Sequence, residues 1–352
     1  MPKAEGRFEF TMKTVCFGEI MLRLSPPGFE RFLQSPQFVA TFGGGEANVA
    51  VSLATFGCES HYVTRLPTNA IGEAAVKALR AEGVRTEHIA RGGERIGVYY
   101  AESSASQRAS QVIYDRARSA IAEMTPGMVD WSSVLSGARW FHCTGITPAL
   151  GDNGAACAKE ALAAAKVAGA TVSMDLNFRK KLWSEKKAQS VMRPLMEHVD
   201  VVIANEEDIQ SVLGFEVHGT DVTTGELNLE AYKATAAEVA NTFDCALIAI
   251  TLRESHSASD NGWSAVIYDK ATGEFQRSQH YDVRLVDRIG GGDSFAGGLI
   301  YGLVSGKSPI DALRFAVAAS ALKQTIPGDF NRVSVDEVER LVKGDSSGRV
   351  QR

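Results

Sequence analysis

The chain has no run of 18 apolar residues and no basic start leading into an apolar stretch, so neither a membrane-spanning helix nor a secretory signal is expected. Cysteine is scarce. Cys16, Cys58, Cys143, Cys157 and Cys245 are odd in number, widely spaced and free of any Cys-x-x-Cys pair, which excludes a disulfide framework. They read as buried reduced thiols, and the expected location is the cytoplasm. An excess of basic charge is missing too. The 37 Lys and Arg face 42 Asp and Glu, for a net charge of -5, and they form no stripe, so nucleic acid is not an expected partner. With 45% hydrophobic residues, the 352-residue chain is long enough to hold a large core without staples.

From Val15 onward, short β-rich runs alternate with longer helical patterns, as in a mostly parallel sheet with helices on both faces. The fold class is α/β. Strands are expected at Val15–Leu24, His61–Arg65, Arg139–Cys143, Thr171–Asp175 and Asp200–Ala204. Helices are expected at Glu46–Phe56, at Ile71–Glu82 ending before Gly83, and at Gly154–Val167. Two stretches break the rhythm, 24–42 and 96–116. In the second, Gly97–Tyr100 and Gln111–Tyr114 look like paired strands without a helix between them. They predict a small sheet standing off the main one as a lid, with a ligand cleft between it and the carboxyl ends of the parallel strands. Cys245–Tyr281 reads as a strand, a loop over Arg253–Gly262, and a hairpin. The expected organisation is one domain over 13–343, between a flexible extension at 1–12 and a flexible tail at 344–352.

Chemistry concentrates in Asp287-Arg288-Ile289-Gly290-Gly291-Gly292-Asp293, which opens a helical pattern. Residues without side chains let backbone N–H groups converge, and the helix start adds its positive dipole end, so the segment forms an anion cradle. Asp293 heads the helix, where a carboxylate could take the proton of a hydroxyl attacking a cradled phosphate. It reads equally as a plain N-cap. Gly306-Lys307-Ser308 is no P-loop, because Tyr301 stands where the first glycine belongs. Neither glycine cluster has dinucleotide spacing, since Asn48 and Phe295 occupy the third small position. A nicotinamide enzyme is disfavoured.

Gly43-Gly44-Gly45-Glu46-Ala47-Asn48 and Asp287 to Asp293 resemble, in order and separation, the two signatures of the PfkB (ribokinase-like) sugar kinase family, and the likeness runs from about Met12 to Val342. Within the family, Gly18–Pro27, Gly145–Leu150, Asp175–Trp183 and Ile326–Asn331 are most similar to 2-keto-3-deoxygluconate kinases. The resemblance implies a Rossmann-like fold with a β-sheet lid and transfer of the γ-phosphoryl of ATP, with Mg²⁺, to a sugar hydroxyl. It makes Asp293 the base and Gly290, Gly291 and Gly292 the anion hole. It assigns the sugar acid to Gly44, Asn48, Tyr99, Tyr114, Arg116, Ile146, Arg179 and Asp329. The nucleotide falls to Asn205, Thr251, Arg253, Gly290, Gly292, Ala319 and Lys323. Asp208, in the acidic position of Asn205-Glu206-Glu207-Asp208, is expected near Mg²⁺ through water. Asp287 starts a loop that in ribokinases holds a monovalent cation, so K⁺ is a candidate too, although Arg288 departs from the usual Thr. Arg23 fills a place that neutral-sugar kinases give to Asp, which suits either an acidic substrate or a salt bridge within the protein. His256 reads as a solvated loop residue. Pairing of two chains through their lids is expected. The rival readings are a kinase for fructose or ribose, and a sugar-sensing protein of the same fold without turnover.

Overall fold

The computed structural model describes residues 12–216 and 229–345, so most of the expected extension and tail lies outside the described residues. In chain order the strands are β1 (Lys13–Phe17), β2 (Met21–Ser25), β3 (Val39–Gly43), β4 (Glu59–Val63), β5 (Arg65–Leu66), β6 (Ala90–Arg91), β7 (Gly97–Glu102), β8 (Gln111–Asp115), β9 (Trp140–Thr144), β10 (Thr171–Asp175), β11 (Val201–Ala204), β12 (Leu247–Ser255), β13 (Asp260–Asp269), β14 (Phe275–Arg277) and β15 (Tyr281–Arg284). The helices are α1 (Gly45–Thr55), α2 (Ala70–Ala81), α3 (Trp131–Leu135), α4 (Ile146–Ala149), α5 (Asp152–Val167), α6 (Glu185–Leu195), α7 (Glu206–Asp208), α8 (Leu229–Phe243), α9 (Gly291–Val304), α10 (Pro309–Lys323) and α11 (Val335–Val342).

The main sheet has the order β14-β13-β12-β11-β10-β9-β1-β4, with β15 also paired to β13. From β12 to β4 all neighbours are parallel, and the strands beyond β12 run antiparallel. The central strands carry apolar residues on both sides because both faces are covered. On one face Val172, Met174 and Val202 pack with residues of α3, α5, α6 and α8. On the other, Cys16, Val201 and Ile203 pack with α1, α2, α9 and α10. All five cysteines are buried and free.

A second sheet, ordered β3-β2-β7-β8, stands apart. The expected single strand Val15–Leu24 is therefore two strands in two sheets. The chain leaves the main sheet at Gly18, whose nitrogen donates to Val63 O across 3.2 Å. A Cβ there would lie 2.0 Å from the Glu46 carboxyl carbon, so only glycine lets the backbone pass. The expected loop at Arg253–Gly262 is also corrected. β12 and β13 form a long hairpin whose tip is closed by Ser257 Oγ, which accepts from the amides of Ser259 and Asp260 at 3.0 Å each. The polar residues that suggested a loop are strand ends. The tip docks on the second sheet's connecting loop, with Ala258 N donating to Ser106 O at 2.8 Å.

Candidate active site

The loop before α9 is shaped by Gly290, which is left-handed at φ +80 and approaches Asp329 so closely that a Cβ would lie 2.2 Å from its carbonyl oxygen. The helix then starts abruptly, and its first-turn N–H groups have no intrahelical acceptors. A Cβ at Gly292 would meet nothing within 4 Å, so the space before these amides is open for an anion. Gly291 instead packs against Gln324.

Asp293 is the third residue of α9. Its Oδ2 accepts from Asn48 Nδ2 at 2.6 Å, and Asn48 Oδ1 accepts from Gly44 N at 3.2 Å. Burial pushes the Asp293 carboxyl up to about 6; the Asn48 hydrogen bond opposes this, the Asp329 charge adds to it, and Arg179 and Lys323 oppose it. A carboxylate in that range can accept a proton near neutral pH.

Below the loop lies a buried ionic cluster. Arg23 bridges Asp287 and Asp329 at 2.7 Å each, and its Nε donates to Ser25 Oγ at 2.8 Å. Burial works against the guanidinium, but the charges of Asp329 and Asp287 outweigh it and hold it protonated. Tyr99 donates to the other Asp329 oxygen at 2.6 Å. Of the two readings of Arg23, the salt bridge within the protein is the one observed. Asp287 is not an open cation ligand: besides Arg23, it accepts from Gly328 N at 3.0 Å and Ile289 N at 3.1 Å. Lys323 and Ala319, expected at the nucleotide, are fully buried. The Lys323 amine donates to the carbonyls of Asp287 and Ile289 and so caps the loop for which K⁺ was a candidate; burial pulls its pKa down, and the charges of Asp287 and Asp329 oppose this. Ala319 packs among Phe56, Phe315 and Val333.

A cavity of about 320 Å³ opens in front of Asp293, between the second sheet and the strand ends. Gly44, Asn48, Tyr99, Tyr114, Ile146 and Asp329 reach it from the sugar side of the expected site, and Asn205, Thr251 and Arg253 from the nucleotide side. Tyr99 and Tyr114 lie on paired strands with ring centroids 5.9 Å apart. Arg116 also lines the cavity, just past β8 and 5.1 Å from the Tyr114 ring, but Glu19 already pairs with it. Its Nε donates to Glu19 Oε2 at 2.8 Å, and Ser119 Oγ donates to Oε1 at 2.9 Å. Arg179 differs. Among the described residues its side chain makes one hydrogen bond, to Phe178 O at 3.0 Å, and no ion pair, although its charge acts on Asp293, Asp208 and Asp175.

Asp175 and Asp208 line the cavity beside Asp293. Burial pushes Asp175 well up, with Asp208 and Asp293 adding repulsion, and burial lifts Asp208 to about 6. Asp208 caps α7, and its oxygens accept from Phe178 N at 2.9 Å and Asn205 N at 3.4 Å. Carboxylates crowded in a dry pocket suit a divalent cation that keeps its waters. Arg253 stacks 5.6 Å from the Trp263 ring.

Sequence reasoning missed Glu19, Asp175 and Glu46. Glu46 is buried, and its Oε1 accepts from Thr144 N at 3.0 Å, Thr144 Oγ1 at 2.8 Å and Thr147 Oγ1 at 2.9 Å, which ties α1 to the end of β9. The available signal was an acid between a glycine and an apolar residue at Glu19 and Glu46, and between two apolar residues at Asp175.

This geometry has relatives. Residues 12–332 match the model of the pfkB family carbohydrate kinases. The chain belongs to this family. It is similar to the crystal structure of 2-dehydro-3-deoxygluconokinase from Thermotoga maritima, with 51% identity and a TM-score of 0.91, covering 95% of this chain and 100% of that one. It is 34% identical over 338 residues to the 2-dehydro-3-deoxygalactonokinase of Haloferax volcanii, covering 96% of this chain and 99% of the relative. A putative ribokinase II from E. coli in complex with ATP and Mg²⁺ shares the fold, with a TM-score of 0.77 at 19% identity.

Proposed function

We propose that this kinase transfers the γ-phosphoryl group of ATP to the terminal hydroxyl of 2-keto-3-deoxygluconate. The observation that carries the proposal is the Asp293 carboxylate, half-buried beside the open amides of α9 and held by Asn48. Asp293 takes the hydroxyl proton as the sugar oxygen bonds to the γ-phosphorus and the bridging oxygen leaves with ADP. The amides of Gly292 and Asp293 carry the charge on the transferring group. Mg²⁺, when bound, neutralises phosphate charge, with Asp208 and Asn205 holding its water shell.

Arg179 supports the choice of a sugar acid, because it is a cavity cation in no ion pair among the described residues. A carboxylate on the substrate completes one. Tyr114 and Arg116 close the sugar end. Thr251 and Arg253 face the nucleotide. Lys323 caps the Asp287 loop, so we assign no K⁺ requirement.

The second sheet presents apolar side chains on its edge strands, with Val39 54% and Ile113 51% exposed, which supports a homodimer through these sheets. Light scattering giving one chain mass at micromolar concentration would count against it. The buried free thiols suit the cytoplasm.

A rival reading is a neutral-sugar kinase. It is favoured by Glu19, which already balances the charge of Arg116. ADP release measured with 2-keto-3-deoxygluconate, 2-keto-3-deoxygalactonate, fructose and ribose decides between them. Turnover highest on a neutral sugar would overturn the sugar-acid assignment, and none on any sugar would remove the kinase reading.

A further inference from the structure

The edge of the main sheet opposite the β12–β13 hairpin carries a cluster of side chains that phosphoryl transfer does not use. β4 is the edge strand, and His61 sits at its middle, paired in register with Val15. The segment after α2 runs beside β4, with Arg85 N donating to Ser60 O at 2.8 Å, Tyr62 N to Arg85 O at 3.0 Å and Ala90 N to Thr64 O at 2.9 Å. This brings Glu87 and His88 against His61. One ligand atom from each of the three lies within 4.8 Å of the other two, the one group of this kind among the described residues.

The geometry points to a transition-metal site at His61, Glu87 and His88, suited to Zn²⁺. His61 is 5% exposed, and its Nε2 lies 3.1 Å from Glu59 Oε1. Nδ1 has no hydrogen-bond partner, and it faces Glu87 Oε1 at 3.5 Å. A metal ion between these two atoms would ligate both. The 3.5 Å separation is close to a tetrahedral edge, roughly 3.4 Å for ligands about 2.1 Å from a zinc ion. The His88 ring centroid is 5.5 Å from that of His61.

The remaining parts agree. Two imidazoles and one carboxylate form a zinc donor set with one position left for water. Glu59 supplies the outer carboxylate that orients a ligating histidine. Other charges nearby are Lys13, whose ammonium donates to Ser136 O at 2.9 Å, Arg85, and Asp130, which caps α3. The site lies at mid-strand rather than at the strand ends where the cavity opens. Bound metal would fasten the segment that leads through β6 into β7 to the edge of the main sheet.

The test uses the full chain, stripped with chelator, exposed to Zn²⁺ with excess Mg²⁺, and desalted. Wild type is expected to retain one Zn²⁺ per chain, to unfold at a higher temperature with Zn²⁺ than without, and to give a tetrahedral visible spectrum with Co²⁺. His88→Ala and Glu87→Gln are expected to lose the bound ion and the spectrum, while their metal-free melting and ADP release stay at wild-type values. Glu59→Gln should bind about 10- to 100-fold more weakly. Wild type that holds no zinc, or a His88→Ala variant that holds as much as wild type, overturns the assignment. So does an NMR titration showing His61 as an imidazolium between Glu59 and Glu87 that does not respond to Zn²⁺.

Discussion

Asn48 and Asp293, 245 positions apart in sequence, meet through a 2.6 Å hydrogen bond that joins the first turn of α1 to the first turn of α9. Each belongs to one of the two glycine-rich signatures, so this contact is where the two become a single site. It also sets the chemistry of the acid, because a donor to the ionised carboxylate offsets part of the cost of burying it.

Replacing Asn48 by Ala removes that donor, so the Asp293 pKa should rise above its value of about 6. The acidic limb of the pH profile of kcat/KM is expected to move to higher pH, with a lower plateau. A variant whose limb stays in place would show that Asn48 does not tune the base.

Asp293→Asn is expected to lower kcat by about 10²–10⁴ while leaving ATP affinity unchanged. The same change should stabilise the fold. The folded-state pKa is raised to about 6, so the folded chain binds the proton more tightly than the unfolded one. Ionised Asp293 therefore costs stability above pH 6, and the cost is relieved as the pH falls from about 6 toward the ordinary value near 4. Since Asp293 is half-buried at the cavity wall, the variant should gain on the order of 1–3 kcal/mol at pH 7.5, read by urea unfolding. Equal stability of the two proteins at that pH would contradict the raised pKa.

Arg179→Ala should raise KM for a sugar acid more than for ATP, with a loss of about 2–4 kcal/mol in kcat/KM. Arg116→Ala should behave differently, because it leaves Glu19 buried and unpaired, and its main effect is a lower unfolding midpoint. Comparing KM for the sugar and melting temperature in the two variants separates the roles. A large sugar effect confined to Arg116 would reverse them.

Turnover should be the same in K⁺, Na⁺ and tetramethylammonium salts at constant ionic strength, because the Lys323 amine already sits on the carbonyls of Asp287 and Ile289. A rate that depends on K⁺ would place a metal cation elsewhere on that loop.

The α/β class was legible because burial on both faces writes itself into β11 as an unbroken apolar run, and the expected Thr171–Asp175 matches the observed β10. The division of Val15–Leu24 was not. Both halves have strand composition, and what parts them is a close approach between Gly18 and Glu46, residues far apart in sequence. The β12–β13 hairpin was hidden for the opposite reason: its strand ends are polar and look like a loop until their partners are known. At the site, residue types were readable, but their partners were not. Lys323 looked like a nucleotide contact and Arg23 fitted either of two roles; each is held by acids or carbonyls contributed by other segments. A charge in a sequence does not announce which opposite charge the fold will bring to it.

The grip of Arg23 on Asp287 and Asp329 has a mechanical result. This arginine rides on a strand of the smaller sheet, while its two acids flank the turn that presents the amides of α9. Any swing of that sheet must therefore pivot about Arg23 or pull the phosphate cradle out of line. Tyr99 ties β7 to the same Asp329 carboxylate, so β8, which carries Tyr114, is the strand of the ribbon outside this anchor.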